Sequence, residues 1–474
     1  MENKRLFDLT IIIILSIWLF AVPTILRPMD QGIIGFPTYY HERIAQDILD
    51  NGSLVSYDSL SFGGRAYLYP PAFSLTLAGF AAIFGMYSAS VLMMVLFGAA
   101  AVALTYLIIT EMFHDQKASR LAAFLVALMP ATIFAFSHLC SRAPPIALGL
   151  AAIYLLIKED NHPFIAMILI GISSLFHLET TLIFAVLTIP FLKQIWIKTE
   201  NKNRVIYPVL AAVIIICAFY IPYFVQNGFI EYNAIHNDYR SLSYSMQSAG
   251  IQEYFVELSQ YASITIIAAF FAIIGFIFAP KMKYVNYVRF WLVFIFALTL
   301  IFERFLIYMP VPLIIMAVLG ISILHNKIPK KVFYVLIAII LIWSVAGAVI
   351  KLNMMENEYP SSEHYKAMTW IKENTPENSV IVADWSYGHW IAGIAERKNF
   401  MDGYAEYAPQ ANERHAQLQL LYESFTTPTL LENESTIYLY AEKWILEKYH
   451  HTDEFQQQYL TPYIDEEIYI FQIR

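Results

Sequence analysis

Long apolar runs separated by short polar turns fill the first three quarters of the chain, near 6–26, 88–113, 120–137, 143–157, 162–176, 179–195, 205–226, 260–279, 287–302, 304–324 and 332–351. Most reach or approach the roughly 17–25 apolar residues a helix needs to cross a bilayer, so each is expected to be a span. A twelfth run, Ala72–Gly85, follows Pro70-Pro71 and is short enough to read as a re-entrant or interfacial helix. Beyond residue 351 the pattern changes. Tyr365, Met368, Trp370 and Ile371 recur at helical spacing within Glu363–Glu373, Asn374-Thr375-Pro376 stops that helix, and Ser379–Ala383 reads as a buried strand. Ile437–Tyr440 and Glu467–Ile473 read as strands around a helix near Glu442–Tyr449. The expected fold is a polytopic α-helical membrane domain over 1–351 with about eleven transmembrane helices, followed by a C-terminal α/β domain over 352–474.

Composition strengthens this division. Hydrophobic residues make up 58% of the 474 positions and charged ones 14%, too little polar surface for a chain of this length to stand in water. Residues 352–474 carry 20 acidic and 8 basic side chains, whereas 1–351 carry 18 and 22, so the charge balance changes sign near residue 351. Cys140 and Cys217 sit in or beside apolar stretches and make no disulfide framework. The apolar run after MENKR is longer than a signal-peptide core and is expected to stay as the first helix.

Direction follows from the basic residues. If Ala72–Gly85 does not cross, 15 of the 22 Lys and Arg in 1–351 fall on the cytoplasmic side; if it crosses, only 6 do. The first arrangement satisfies the positive-inside rule. It places the N-terminus in the cytoplasm, and the loop 27–87, the loop 227–260 and the C-terminal domain outside.

The first outer loop holds Asp30, His41, Glu42, Asp47, Asp50 and Asp58, acids and an imidazole at the mouth of a helix bundle that suit a general base or a metal ligand. Asp30 stands closest to the membrane, behind Arg27-Pro28. Arg142, His177, Glu179, Glu303 and Arg304 lie at outer ends of spans, where ionisable groups are costly and mark function more often than loop charges do. An arginine there suits a phosphate. Glu231, His236, Asp238, Glu253 and Glu257 crowd the second outer loop without a distinguishing spacing, and His450-His451 reads as a solvated turn. No GxxxxGK[ST] and no GxGxxG after a strand is present, so nothing points to a nucleotide-binding loop. Charges at the outer ends, beside a large outer domain, suit an enzyme acting on a lipid-borne substrate at the outer leaflet rather than a transporter with midplane charges.

The segment WIKENTPENSVIVADWSYGHWIAGIAERKNFMDG, residues 370–403, resembles the catalytic subunit of archaeal and bacterial oligosaccharyltransferase, whose soluble domain opens with a helix, an NTP turn, a strand and a WWDYG motif followed by an arginine and an aspartate. Trp385, Tyr387, Gly388, Arg397 and Asp402 keep that pattern. YYHERIAQDILDNGSLVSYDSLSFGGRAYLYPP, residues 39–71, is similar to the family's first outer loop; Ser141-Arg142 matches its Ser-Arg, and ERFLIYMPVPLIIMAVLG, residues 303–320, its late arginine-bearing helix. The chain departs from the family at Pro37-Thr38, at Ala143-Pro144-Pro145-Ile146, where a second acidic motif would stand, and at Asp384 and Ser386 within the WWDYG position.

The resemblance implies a GT-C glycosyltransferase fold, for which the family usually has thirteen spans, two more than the eleven expected here. It also implies transfer of a sugar or oligosaccharide from a polyprenyl-phosphate or polyprenyl-diphosphate carrier to a protein asparagine or similar acceptor on the outer face. Asp30 is then the expected base, with Glu42 the second catalytic acid. His41, Arg142, Glu179 and Arg304 are expected to bind substrate, and Trp385, Ser386, Tyr387 and Gly388 to shape the acceptor site. A divalent metal, Mg or Mn, is the cofactor the family's acids imply. Two other readings keep the fold: a monosaccharide transferase acting on a glycan or lipid, and a catalytically degenerate protein that binds lipid-linked glycan or scaffolds a surface-assembly complex.

Overall fold

The structure is a computed structural model. It describes residues 2–25, 35–67, 69–227, 266–280, 283–301, 303–325, 327–355, 360–404, 408–449 and 452–474.

Helices α1 (Glu2–Ile25), α2 (Phe36–Asn51), α3 (Ala72–Phe84) and α4 (Met86–Phe113) open the chain, with the short strands β1 (Tyr57–Asp58) and β2 (Arg65–Ala66) between α2 and α3. Then follow α5 (Gln116–Leu128), α6 (Pro130–Ser137), α7 (Ala143–Ile157), α8 (Pro163–Ser173), α9 (Leu178–Lys198), α10 (Asn203–Asn227), α11 (Ile266–Phe278), α12 (Lys283–Ile301), α13 (Pro310–His325) and α14 (Lys330–Met354). Among the described residues six helices are long and apolar enough to cross a membrane, or seven if α5 and α6 form one bent span. The chain is a multi-pass membrane protein. Large apolar side chains such as Ile342, Trp343, Val225 and Phe278 stand more than half exposed on these helices, which needs a lipid solvent.

The run 120–137, expected as one span, is bent by 63° between α5 and α6. Pro130 is the cause: it has no N–H to continue the ladder and pushes Met129 into an extended conformation at ψ 128. A second break precedes Pro310, where the segment Glu303–Tyr308 winds as a tighter 3-10 helix before α13 begins.

Contacts divide the described residues into two compact units. One holds α1, residues 91–222 and the later helices up to 355. The other holds 35–90, 223–227 and 360–474, so residues 35–90 belong with the C-terminal sequence.

In the membrane unit, α11 and α13 pack backbone to backbone. A methyl group added at Gly275 would collide with the Met316 carbonyl, and one added at Gly320 with the Phe271 carbonyl. Neither obstacle is a flexible side chain. Gly320→Leu is therefore expected to lower the thermal midpoint of the detergent-solubilised protein and the monodisperse yield, an overpacking cost of about 1–3 kcal/mol or more. Gly79→Leu, where nothing lies within 4 Å of the new Cβ, serves as the neutral comparison.

The second unit is built on a five-stranded mixed sheet in the order β4-β3-β5-β7-β6. The strands are β3 (Val380–Val382), β4 (Lys398–Asn399), β5 (Ile437–Glu442), β6 (Leu460–Ile464) and β7 (Ile468–Gln472). The run Val380-Ile381-Val382 is buried throughout, as a strand parallel to both neighbours should be. Helices α15 (Ser362–Asn374) and α16 (Ala411–Ser424), with α17 (Lys443–Lys448) and α18 (Thr452–Gln458), complete it. The segment before β2 extends the sheet at β4: Phe62 N–H donates to the Asn399 carbonyl at 2.9 Å and Asn399 N–H to the Leu60 carbonyl at 2.8 Å. Arg414, wholly buried, donates to the Phe62 and Phe400 carbonyls at 2.6 and 3.1 Å and sews the two segments together.

Candidate active site

Helix α2 carries the first functional side chains. Pro37 near its start needs no N–H partner, and Gly52 closes it in the left-handed conformation at φ 65, which costs glycine nothing. Its inner face buries Tyr40, His41, Ile44 and Ala45. His41 Nε2 and Tyr404 Oη share a hydrogen bond of 3.1 Å, while His41 Nδ1 is buried without a partner. Burial, aided by the nearby His389, drops the His41 imidazole to about 3, and burial also lowers His389 to about 4. Both rings are neutral at pH 7. With Tyr40 and Tyr404 they form one packed aromatic group.

Glu42, the next residue, is half-buried, and Ser90 Oγ donates to its Oε1 at 2.7 Å. Burial pushes the Glu42 carboxyl up to about 7, against the opposing effect of the Ser90 hydrogen bond. A carboxylate that titrates near neutrality can accept a proton in one step and release it in the next.

The neighbouring acids are engaged otherwise. Asp58 meets Arg43 at 2.9 Å and Arg65 at 3.0 Å, and Arg65 in turn grips Asp402 through both guanidinium nitrogens at 2.7 and 2.9 Å. The chain Arg43–Asp58–Arg65–Asp402 joins residues separated by more than 300 positions. The guanidinium groups outweigh burial and hold both aspartates below the usual carboxylate range. Asp50 is exposed and accepts from Gln46 at 2.8 Å, as a surface acid does. No three His, Cys, Asp or Glu side chains among the described residues group to hold a metal.

The DWSYG segment follows β3. Asp384 Oδ1 accepts from Ser386 N–H at 3.0 Å and Ser386 Oγ–H at 2.7 Å, winding residues 385–387 into a tight turn. Tyr387 points into the core of the unit, against Trp390 and Tyr440, and its hydroxyl bonds to Glu442, which also bonds His364 and Trp444. Trp385 stays half-buried near Gly403 and so remains reachable. Gly388 is required by packing: a side chain there would strike the Met401 carbonyl and Asp402. Arg397 is buried and donates to the Lys372 and Thr375 carbonyls at 2.6 and 2.7 Å, holding the NTP turn.

In the membrane unit a polar network gathers around the start of α9. His177 caps that helix by accepting from Thr180 N–H at 3.3 Å, Thr180 Oγ1 bonds to Tyr308 Oη at 2.6 Å, and Arg304 pairs with Glu179 at 2.6 Å. Arg142 and Glu179 both lie within electrostatic reach of Tyr308. The structure thus brings Arg142, Glu179 and Arg304 into one neighbourhood, and separately sets His41 and Glu42 on one helix, with His41 beside Tyr404.

Asp30, the loop residues Glu231, His236, Asp238, Glu253 and Glu257, and His450-His451 lie outside the described residues, as does the Glu303 side chain. Arg65, His389, Tyr404, Thr180 and Tyr308 escaped sequence reasoning. Only Arg65 carried a signal, a lone cation after the Gly63-Gly64 turn; the others are ordinary residue types whose roles come from distant partners.

No family model matches the chain, and no curated protein matches it. Solved structures do. The apo oligosaccharyltransferase of Archaeoglobus fulgidus aligns with a TM-score of 0.63 at 16% identity, covering 92% of this chain and 69% of that one. The same enzyme tethered to an acceptor peptide with the NVT sequon gives 0.63 at 14%, over 99% and 74%. ArnT from Cupriavidus metallidurans, bound to undecaprenyl phosphate, gives 0.60 at 12%, over 98% and 97%.

Proposed function

We propose that this chain, which carries the GT-C fold seen in those structures, is a membrane glycosyltransferase that moves a sugar from a polyprenyl-phosphate or polyprenyl-diphosphate carrier to an acceptor on the outer face of the membrane. The carrying observation is Glu42: a half-buried carboxyl brought to about 7, on a fold that serves this chemistry elsewhere. In this reading Glu42, with Asp30 as the second acid, removes the acceptor's proton as its oxygen or nitrogen attacks the anomeric carbon; the carrier phosphate leaves with the bonding electrons. Arg304 and Arg142 receive the negative charge that develops on the phosphate. Trp385 offers the acceptor an aromatic face.

Counting α5 and α6 as one bent span and adding the shorter apolar helices at α7, α8, α11 and α13 gives the eleven passes of this reading, with the N-terminus cytoplasmic and α3 not crossing.

Arg304→Met is expected to raise the KM for the lipid-linked sugar about 10- to 100-fold, the loss of a charge-assisted hydrogen bond. An unchanged KM would remove Arg304 from carrier binding. The acceptor is tested by comparing sequon peptides with lipid-linked glycans and lipids as substrates of the purified protein. The missing second acidic motif at Ala143-Pro144-Pro145-Ile146 and the engagement of Asp58 and Asp402 by arginines favour a glycan or lipid acceptor as the second reading. Transfer to peptide alone would reject that second reading, and transfer to neither class would reject the function.

A further inference from the structure

Ser90 stands in the second turn of α4 and is 2% exposed. Gly85 closes α3 and its carbonyl accepts from Ala89 N–H at 2.9 Å, so it makes the corner from which α4 starts; its φ of 77 is a conformation glycine adopts without strain. A hydroxyl inside a helix usually donates to the carbonyl one turn back, as Thr105 does toward Ala101 on α4 and Thr76 toward Ala72 on α3. Ser90 instead donates to Glu42 Oε1 on α2, at 2.7 Å. Among the described residues no group donates to the other oxygen, Oε2.

The elements around Glu42 bring few other charges to it. Helix α3, packed along α2, carries no ionisable side chain, and the segment 388–395 brings His389, neutral at pH 7. Helix α4 adds the phenol of Tyr87, and α15 that of Tyr365, which burial and then the Glu42 charge push up and so keep protonated. On α2 itself His41 is neutral and Arg43 is paired with Asp58.

We infer that Ser90 is the positioning residue of the base in sugar transfer: its hydroxyl holds Oε1 of Glu42 and leaves Oε2 as the oxygen that takes the acceptor's proton. This rests on the glycosyltransferase reading and deepens it. The acceptor's O–H or N–H proton passes to Oε2, the acceptor atom bonds the anomeric carbon, and the bond from that carbon to the carrier phosphate breaks with its electrons on the phosphate. Donation from Ser90 favours the ionised carboxylate that this step needs, against the burial that brings Glu42 to about 7. A purely structural role for Ser90 would change stability and leave the pH dependence of transfer where it is.

The test is the pH–rate profile of the purified full-length protein, with an undecaprenyl-phosphate-linked sugar as donor and the best acceptor of the comparison above. Ser90→Ala is expected to lower kcat at pH 7 about 5-fold or more with little change in the donor KM. Its acidic limb should move up by about 1 pH unit, the effect of losing a hydrogen bond to a charged group. Ser90→Thr, which keeps the hydroxyl, should hold the limb near its wild-type position, and the exposed Ser88→Ala on the same helix should not move it. A second readout needs no turnover. The fall in thermal midpoint with rising pH should extend to higher pH in Ser90→Ala than in wild type, and the extension should vanish when Glu42→Gln is added. Thermal midpoints also establish folding, and Ser90→Gly stands in if Ser90→Ala is not folded. An unmoved limb in folded Ser90→Ala, with Glu42→Gln still inactive, overturns the inference and leaves the glycosyltransferase reading in place. Transfer by neither wild type nor variant rejects that reading and this inference with it.

Discussion

Glu42→Gln is expected to lower the rate of sugar transfer by about 10²- to 10⁴-fold, the usual contribution of a positioned general base. The amide keeps the shape and can still accept from Ser90, so the loss would come from the missing proton acceptor. Stability should move the other way. Because burial raises the Glu42 carboxyl from its usual value to about 7, the folded state prefers the neutral acid, and stability falls as pH rises between the unfolded value and 7. Above that range the ionised carboxylate costs the folded state, and Gln removes this cost. The thermal midpoint of the variant at pH 8 should therefore equal or exceed that of wild type. The wild-type rate should rise with pH to a plateau just above 7, and this acidic limb should be absent from the residual activity of Glu42→Gln. A variant within threefold of wild type, with the limb intact, would transfer the role of base to Asp30.

Asp402→Ala is expected to be the most damaging single change in the second unit. Arg65 is 4% exposed and Asp402 2%, and the two terminal guanidinium nitrogens of Arg65 each donate to one carboxylate oxygen of Asp402. Removing one partner leaves a buried charge short of its counter-charge, at a cost of about 3–5 kcal/mol. Against a typical stability of about 5–15 kcal/mol, that is enough to lower the apparent midpoint by roughly 10 °C and to open the outer loop to protease. The paired replacement Arg65→Met with Asp402→Leu should recover much of the loss, since a buried ion pair is often replaced by apolar side chains without penalty. The measurement is a double-mutant cycle on thermal midpoints, with cleavage within residues 52–66 as the local readout. Independent, additive effects would show that the pair does not hold the loop. Because both aspartates are held below their usual range, the stability they supply is present above about pH 4, the ordinary carboxylate value, and is lost as pH falls through their depressed values.

Several elements of the tail were legible from pattern alone. The helix expected over Glu363–Glu373 is Ser362–Asn374, the strand expected at Ser379–Ala383 is Val380–Val382, and Ile437–Tyr440 and Glu467–Ile473 appear within a residue or two as β5 and β7. Strands β4 and β6 and the helix α16 were missed. Lys398-Asn399 is a strand only because Val380–Ile381 and the outer loop pair with it, and Leu460–Ile464, with Pro462 inside, is an edge strand whose exposed alternate residues carry no burial signal. The single run over 120–137 broke because one proline outweighs a continuous apolar pattern.

Apolar content and charge alone place this chain in a membrane and mark where its character changes. Partition into lipid depends on apolar content summed over neighbouring residues, and charge balance is likewise a local sum, so both can be read without coordinates. Residue type and position singled out Glu42, His41, Arg142, Glu179 and Arg304. What each is free to do depends on the partners that folding brings beside it. Asp58 and Glu42 are loop acids of the same kind in the sequence; Arg65 and Arg43 bind one, while burial beside Ser90 leaves the other titrating near 7. The partners behind that difference stand up to 48 positions away, as Ser90 is from Glu42, and Arg65 is itself held by Asp402, 337 positions away. Coulombic and desolvation effects act through space, and the fold alone decides which groups stand close enough to feel them.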